Sequence, residues 1–196
     1  MKNVLFLLAI VFLVFVGCDG KDRVHLTNSE ILKEHKLLDS FSEKVKYIPE
    51  QYSEVVTDSL YDNGFRVKIK MYTDLDRDVL FTKTEESITY KEHYRNFKFD
   101  ILIEKNNSII YQKSFDKDII NKELAVFSNN IPESSLYFNF GKLAVLKYIE
   151  VDYEPSLKNM IIINFMYAIP NTDRYSTHSL MVNDKGNGTI IHKNVN

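Results

Sequence analysis

Acidic side chains recur at alternate positions near residue 75, and this spacing suits a hard cation. Asp74, Asp76 and Asp78 are followed by Glu85, which places the acids at positions 1, 3, 5 and 12 of a calcium-binding loop. Calcium needs several carboxylate oxygens at about 2.3–2.6 Å, and a curved loop with this spacing can supply them. These residues are therefore a candidate calcium site.

The same segment departs from a calcium loop in three ways. Val79 stands where glycine makes the sharp turn, and Arg77 adds a positive charge within the loop. A strand-like pattern precedes the segment, where a helix is usual. We therefore favour a solvated acidic loop over residues 73–86 and expect no cofactor, with calcium binding as the alternative.

The histidines give no further metal or catalytic pattern. None has a second His or Cys at metal-ligand spacing; they are His25, His35, His93, His178 and His192. Glu92-His93-Tyr94 could belong to a site that lines a cleft, but a histidine at a sheet surface is the commoner outcome. The chain has no G-x-S-x-G elbow and no glycine-rich phosphate loop. The sequence therefore predicts no catalytic residue.

Composition indicates a single globular domain that does not bind nucleic acid. The 25 basic and 27 acidic residues nearly balance, whereas nucleic-acid binding needs a basic stripe. One cysteine cannot form an intramolecular disulfide, so stability must come from an apolar core. The supply is sufficient, because 44% of the residues are hydrophobic.

The N-terminus has the composition of an export signal. Lys2 precedes an apolar run from Val4 to Val16, which has the length of a signal-peptide core and is too short to cross a bilayer. The sequence therefore predicts a signal peptide over residues 1–17. Two alternatives to the signal peptide of a lipoprotein, whose motif follows below, remain open. One is an ordinary signal peptide followed by an incidental cysteine, and the other is an uncleaved N-terminal anchor.

The run ends at the only cysteine of the chain, in the sequence Phe15-Val16-Gly17-Cys18. This motif resembles the lipobox of bacterial lipoproteins. The resemblance implies that Cys18 carries a thioether-linked diacylglycerol and an N-acyl chain such as palmitate, which together would hold the protein on a membrane. The whole chain resembles the small uncharacterised lipoproteins of Gram-negative envelopes. We accordingly expect a lipid-anchored protein of the cell envelope, on the periplasmic or surface face of the outer membrane.

The remaining chain divides into three expected segments. Residues 18–27 are polar and predict a lipid-anchored tether. Residues 28–50 predict a helical or partly ordered extension, in which Asn28 or Ser29 caps a helix that runs to about Val45. Residues 51–196 predict a β-rich domain.

Two stretches of this domain are the clearest strands. Apolar residues alternate with Arg66, Lys68 and Lys70 from Phe65 to Met71, which predicts a half-buried strand with a cationic outer face. That face could meet anions, but a solvated face with acidic residues on the neighbouring strands is the favoured interpretation. The run at 160–169 is apolar except for Asn164 and predicts a central strand covered on both faces, where the Asn164 amide would need partners.

Strands follow one another with short turns, and few helices interrupt them. One helix is predicted from Lys117 to about Phe127, with Asp116 as its N-cap. The pattern indicates a mainly β (α+β) fold, in which an antiparallel meander forms a sandwich or curved sheet with one or two short helices.

Many tyrosines lie in this domain and could bind a glycan or a partner protein if exposed. Tyrosines more commonly lie within strands and at the boundary of the core. The tyrosines concerned are Tyr90, Tyr94, Tyr137, Tyr148, Tyr153, Tyr167 and Tyr175. The leading interpretation is a non-enzymatic, lipid-anchored binding or structural module for an envelope protein or glycan. The alternatives are an envelope hydrolase with a cleft that sequence does not reveal, and a calcium-stabilised structural domain.

Overall fold

A computed structural model describes residues 26–35, 37, 43–85, 88–124, 131–135 and 138–195. The predicted signal peptide (1–17), Cys18, most of the tether and Tyr137 lie outside these residues. The described residues divide into two compact units: the smaller holds residues 26–35, 37, 43–44, 84–85 and 88–90, and the larger holds the others. In the smaller unit, the Lys44 ammonium lies over the Tyr90 ring at 5.4 Å.

The first sheet has five strands, in which β1, β4, β3 and β2 are successive neighbours and β5 also pairs with β4. The strands are β1 Glu43–Ile48, β2 Glu54–Leu60, β3 Phe65–Glu85, β4 Ile88–Lys105 and β5 Ser108–Phe115. β2 and β3 are antiparallel and joined by a turn in which Gly64 has a φ of 81°. Glycine suits this position because it tolerates the left-handed conformation without a steric penalty.

The second sheet is a four-stranded antiparallel meander. Its strands are β6 Val145–Asp152, β7 Met160–Ala168, β8 Tyr175–Asn183 and β9 Gly188–Val195. The predicted central strand is confirmed as β7, which lies between β6 and β8. Its burial alternates, so the prediction that both faces are covered is wrong: the inner side chains are buried and the outer ones are half-buried.

The two sheets share one hydrophobic core, which makes the fold a β-sandwich and confirms the predicted fold class. Phe99 of β4 lies 4.9 Å from Phe115 of β5 and 5.7 Å from Phe165 of β7, measured between ring centroids. The alternation predicted for β3 places Phe65, Val67 and Ile69 in this core. The strand predicted from the period of two is therefore confirmed.

Three short helices occur in the described part of the chain: α1 Asn28–Glu34, α2 Lys117–Leu124 and α3 Phe140–Leu143. Asp116 caps α2 as predicted, since its Oδ1 accepts a hydrogen bond from the Ile119 amide at 2.8 Å. The cap of α1 is Thr27 and not Asn28 or Ser29, and its Oγ1 accepts from the Glu30 amide at 3.3 Å.

Two sequence predictions of local structure are wrong. The helix expected to reach Val45 ends at Glu34, and Val45 lies in β1, which pairs with β4. The acidic loop expected over residues 73–86 is the second half of β3, which runs unbroken to Glu85. Both errors arise because strand pairing overrides a weak local pattern.

The turn between β8 and β9 comes very close to β5 of the first sheet. Gly186 has a φ of 78°, and a Cβ atom built on it would lie 2.0 Å from the carbonyl oxygen of Ile110. Only glycine allows the two backbones to approach in this way.

Candidate functional site

The acidic residues of the predicted calcium site each have a different environment. Asp74 is buried, and its Oδ1 lies 3.1 Å from the Lys98 ammonium. Asp78 lies with its Oδ1 3.1 Å from Nδ1 of His93. Asp76 is exposed, and Glu85 is the last residue of β3.

The extended conformation separates these carboxylates. Residues two apart on a strand are about 6–7 Å apart along the chain, whereas calcium ligands converge within about 2.6 Å of one ion. Among the residues that the structure describes, no group of three or more His, Cys, Asp or Glu side chains could hold a metal ion. The sequence did not predict the two partners that the structure shows, which are Lys98 for Asp74 and His93 for Asp78.

His93 is half-buried on the outer face of β4 and forms a surface cluster with β1. Its ring stacks on Tyr47 with a centroid distance of 4.7 Å and an interplanar angle of 25°. The guanidinium carbon of Arg95 lies 5.0 Å from the centre of the same Tyr47 ring. Because residues 93 and 95 of one strand point to the same side, β4 presents both to Tyr47. We call Tyr47, Asp78, His93 and Arg95 the Tyr47 surface.

The neighbours of His93 point the other way. Tyr94 is buried, and its hydroxyl lies 2.9 Å from Oε2 of Glu92 and 3.1 Å from Oδ1 of Asn171. Asn171 in turn donates its amide to Glu92 at 3.2 Å. Desolvation, and then the Glu92 carboxylate, raise the pKa of Tyr94. Glu92 and Tyr94 therefore position a loop residue, and only His93 of the predicted triplet belongs to the Tyr47 surface.

A second cluster, which sequence reasoning missed, lies on the core side of the second sheet. His178 and Ser176 are buried, and Oγ of Ser176 lies 2.9 Å from Nε2 of His178. Nδ1 of His192 lies 3.3 Å from Nδ1 of His178 and 3.4 Å from the Ser176 hydroxyl. The β8–β9 register pairs His178 with His192 across the terminal hairpin.

Ser176, His178 and His192 thus follow one another as a nucleophile, a base and an orienting group do in a catalytic triad. Its environment does not suit catalysis. Ser176 and His178 are both 0% exposed, so a substrate has no access to them. Desolvation, and then the neighbouring His192, lower the pKa of His178 to about 3, far below the range useful to a general base at neutral pH.

Two of the three cationic side chains on the outer face of β3, Arg66 and Lys70, pair with acidic residues of the neighbouring strand. Asp58 accepts two hydrogen bonds from the Arg66 guanidinium, at 2.8 and 3.0 Å. Lys70 lies 3.0 Å from the Glu54 carboxylate. This geometry agrees with a solvated sheet face that has acidic neighbours, which is the interpretation favoured from the sequence.

Most of the tyrosines singled out from the sequence belong to the core or its boundary. Tyr94 and Tyr167 are buried, and the others that the structure describes are half-buried; these are Tyr90, Tyr148, Tyr153 and Tyr175. Among the tyrosines that the structure describes, the exposed rings are instead Tyr47 and Tyr52, at 39% and 49%. The prediction missed them because both precede the strands whose pattern is clearest.

The Asn164 amide has the partners that its position in β7 requires. Its Nδ2 donates to Asp152 at 2.9 Å, and its Oδ1 accepts from Ser179 at 2.5 Å and from Lys193 at 3.2 Å. This polar row crosses the outer face of the second sheet and gives both the nitrogen and the oxygen of the amide a partner.

Comparison of the chain with protein-family models and with curated proteins finds no match in either case. No helix in the described ranges has the length and apolar character needed to cross a membrane.

Proposed function

We propose that the protein is a lipid-anchored, non-enzymatic binding module of the bacterial cell envelope, whose partner is an envelope protein or a glycan. The observation that carries the binding function is the Tyr47 surface. It combines an exposed aromatic ring with an imidazole and a guanidinium on the outer face of a rigid sheet. Aromatic and arginine side chains of this kind dominate the energetics of binding surfaces.

The anchor in this proposal is Cys18, by the lipobox resemblance of residues 15–18. Two or more acyl chains hold a protein on a bilayer far more firmly than one chain does. The polar residues that follow would separate the β-sandwich from the lipid surface. The outer membrane, on its periplasmic or surface face, is the proposed location.

A hydrolase is less well supported by the same residues. Among the described residues, His93 contacts the Asp78 carboxylate and the Tyr47 ring, and no serine, threonine or cysteine side chain is hydrogen-bonded to it. The one serine–histidine contact described above is inside the core. A binding role needs only the exposed groups that are present.

Two comparisons of wild type with a variant test the proposal, one in the producing cell and one with purified protein. For the anchor, wild type should label with an alkyne fatty acid and sediment with membranes, whereas Cys18→Ser should do neither. For binding, purified wild-type protein should be retained by envelope fragments, and Tyr47→Ala should lower that retention at least about tenfold, a loss of 1.4 kcal/mol or more.

Tyr52→Ala is the matched control for the binding experiment. Within the described ranges Tyr52 is the other exposed tyrosine. Its hydroxyl donates a hydrogen bond to Glu54 at 2.6 Å, and it lies outside the Tyr47 surface. Equal retention of wild type and Tyr47→Ala would contradict the binding proposal. Unchanged membrane sedimentation and labelling of Cys18→Ser would contradict the anchor.

A further inference from the structure

We propose that the Tyr47 surface recognises a carboxylate-bearing sugar, so that the ligand of the protein is an acidic glycan. This inference rests on the proposed binding function and deepens it, because it assigns a ligand class to the same residues.

Arg95 differs from the other arginines of the two sheets in its electrostatic surroundings. Arg66 is held by two hydrogen bonds from its guanidinium to Asp58, and Arg77 is paired with Asp118 on α2. Within the described part of the chain, Arg95 forms no ion pair with a carboxylate. Its one recorded interaction is with the face of Tyr47. The guanidinium therefore keeps its charge and its fork of donors available to a ligand.

Tyr47 holds this guanidinium in place before a ligand arrives. A cation over an aromatic ring is attracted by the negative face of the ring, and the contact restricts the rotamers of a long side chain. Preorganisation of this kind lowers the entropy that binding would otherwise cost. The planar fork matches the two oxygens of a carboxylate, with which arginine forms paired hydrogen bonds.

His93 adds a second polar group at a defined orientation. Its Nδ1 faces the Asp78 carboxylate at 3.1 Å, which directs the proton of the neutral ring to Nδ1. Nε2 is then an acceptor for a hydroxyl group. A sugar acid carries a carboxylate and hydroxyls on one small ring, so it can engage Arg95 and His93 together.

The exposed groups favour a glycan over a protein partner. A stable protein interface buries about 800 Å² on each side around an apolar centre. The Tyr47 surface instead offers one aromatic ring, 39% exposed, that packs against the imidazole of His93 and the guanidinium of Arg95.

The test is calorimetric titration of the full-length protein with trigalacturonate, with the neutral sugar galactotriose and with triglutamate. Wild type should bind trigalacturonate at least about tenfold more tightly than either of the other two, and added salt should weaken that binding. Arg95→Gln should remove the preference for the acidic sugar over the neutral one. Arg95→Lys should retain part of it, because the charge remains without the fork.

Arg66→Gln is the matched control, since it removes an arginine that Asp58 already neutralises, and its affinity for trigalacturonate should equal that of wild type. Circular dichroism of each variant verifies folding. Equal wild-type binding of the acidic and neutral sugars, or a preference unchanged in Arg95→Gln, would overturn the inference. Tighter binding of triglutamate would overturn it in favour of an acidic peptide. In all three cases, loss of envelope retention in Tyr47→Ala would leave the broader binding function standing.

Discussion

The Nδ1 atoms of His178 and His192 lie 3.3 Å apart, directly opposite each other on β8 and β9. At this distance one ring must donate its proton and the other must accept it, so the pair is stable only when at least one ring is neutral. His178 is buried against Phe165, with a ring-centroid distance of 5.3 Å. The terminal hairpin is thus held by a contact that depends on protonation.

We expect this pair to make the protein acid-sensitive. Desolvation, then His192, lower the pKa of His178 to about 3, whereas an unfolded histidine titrates near 6.5. Below pH 6.5 the unfolded chain therefore binds a proton that the folded chain does not. The free energy of unfolding should fall by up to about 1.4 kcal/mol per pH unit as the pH drops from about 6 toward 3, and His178 should add no slope above pH 7.5. Urea unfolding at successive pH values measures this slope.

The variant His178→Phe isolates this contribution to the slope. It keeps a ring beside Phe165 and removes the titrating group. Below pH 6 the slope of its free energy of unfolding against pH should therefore be smaller than that of wild type by up to about 1.4 kcal/mol per pH unit. His192→Gln should retain most of the slope, because desolvation is the larger cause. A wild-type slope equal to that of His178→Phe would show that His178 titrates as an exposed histidine does.

We expect Gly186 to tolerate no side chain. In Gly186→Ala the new Cβ would lie 2.0 Å from the Ile110 carbonyl oxygen at a φ of 78°, so backbone must move. We predict a loss of about 3 kcal/mol or more in the free energy of unfolding. Gly64→Ala is the control: its φ is 81°, but its nearest neighbour is the Asn106 side chain, which can rotate away. That variant should lose only about 1–2 kcal/mol by thermal or urea unfolding, and equal losses would contradict the close approach of the two sheets.

The ion pair between Arg66 and Asp58 should contribute little to stability. Its two hydrogen bonds are well formed, but the Arg66 side chain is 52% exposed and solvent screens the attraction. We expect Asp58→Asn to melt within about 2 °C of wild type in calorimetry at physiological salt. A shift above about 5 °C would mean that the outer face of β2 and β3 is more than a solvated surface.

Calcium should not stabilise the domain. The carboxylate of Asp74 faces Lys98 and that of Asp78 faces His93, so a calcium ion would have to displace both partners. We expect the melting temperature in 1 mM calcium to equal that in EDTA. Because a ligand at a hundred times its Kd adds about 2.7 kcal/mol, an increase of several degrees would instead support the calcium site first suggested by the sequence.

The parts of the fold that sequence predicts best are those with an unambiguous period. Phe65 to Met71 alternate strictly, and the structure buries Phe65, Val67 and Ile69 on one side. The position of Asn164 within an apolar run likewise implied partners, and Asp152 and Ser179 are among them. These inferences depend only on neighbours within one strand.

The candidate site depends on neighbours between strands, and these are harder to infer. Tyr47 meets His93 only because β1 pairs with β4, and the sequence around Tyr47 resembled a helix instead. The pairing of His178 with His192 could have been predicted from the hairpin. In a hairpin centred on residue 185, a residue pairs with the one that lies equally far on the other side of the turn. What was lacking was the register, which a turn composition alone does not define.

Each sheet of the sandwich is made from one continuous stretch of chain, residues 43–115 for the first and 145–195 for the second. During synthesis the first sheet is therefore complete while the strands that cover its apolar side have still to be made. Phe99 and Phe115 stay in water until Phe165 follows. The half-made chain is consequently the form most prone to self-association, and a chaperone that covers this one face would protect it until the second sheet is added.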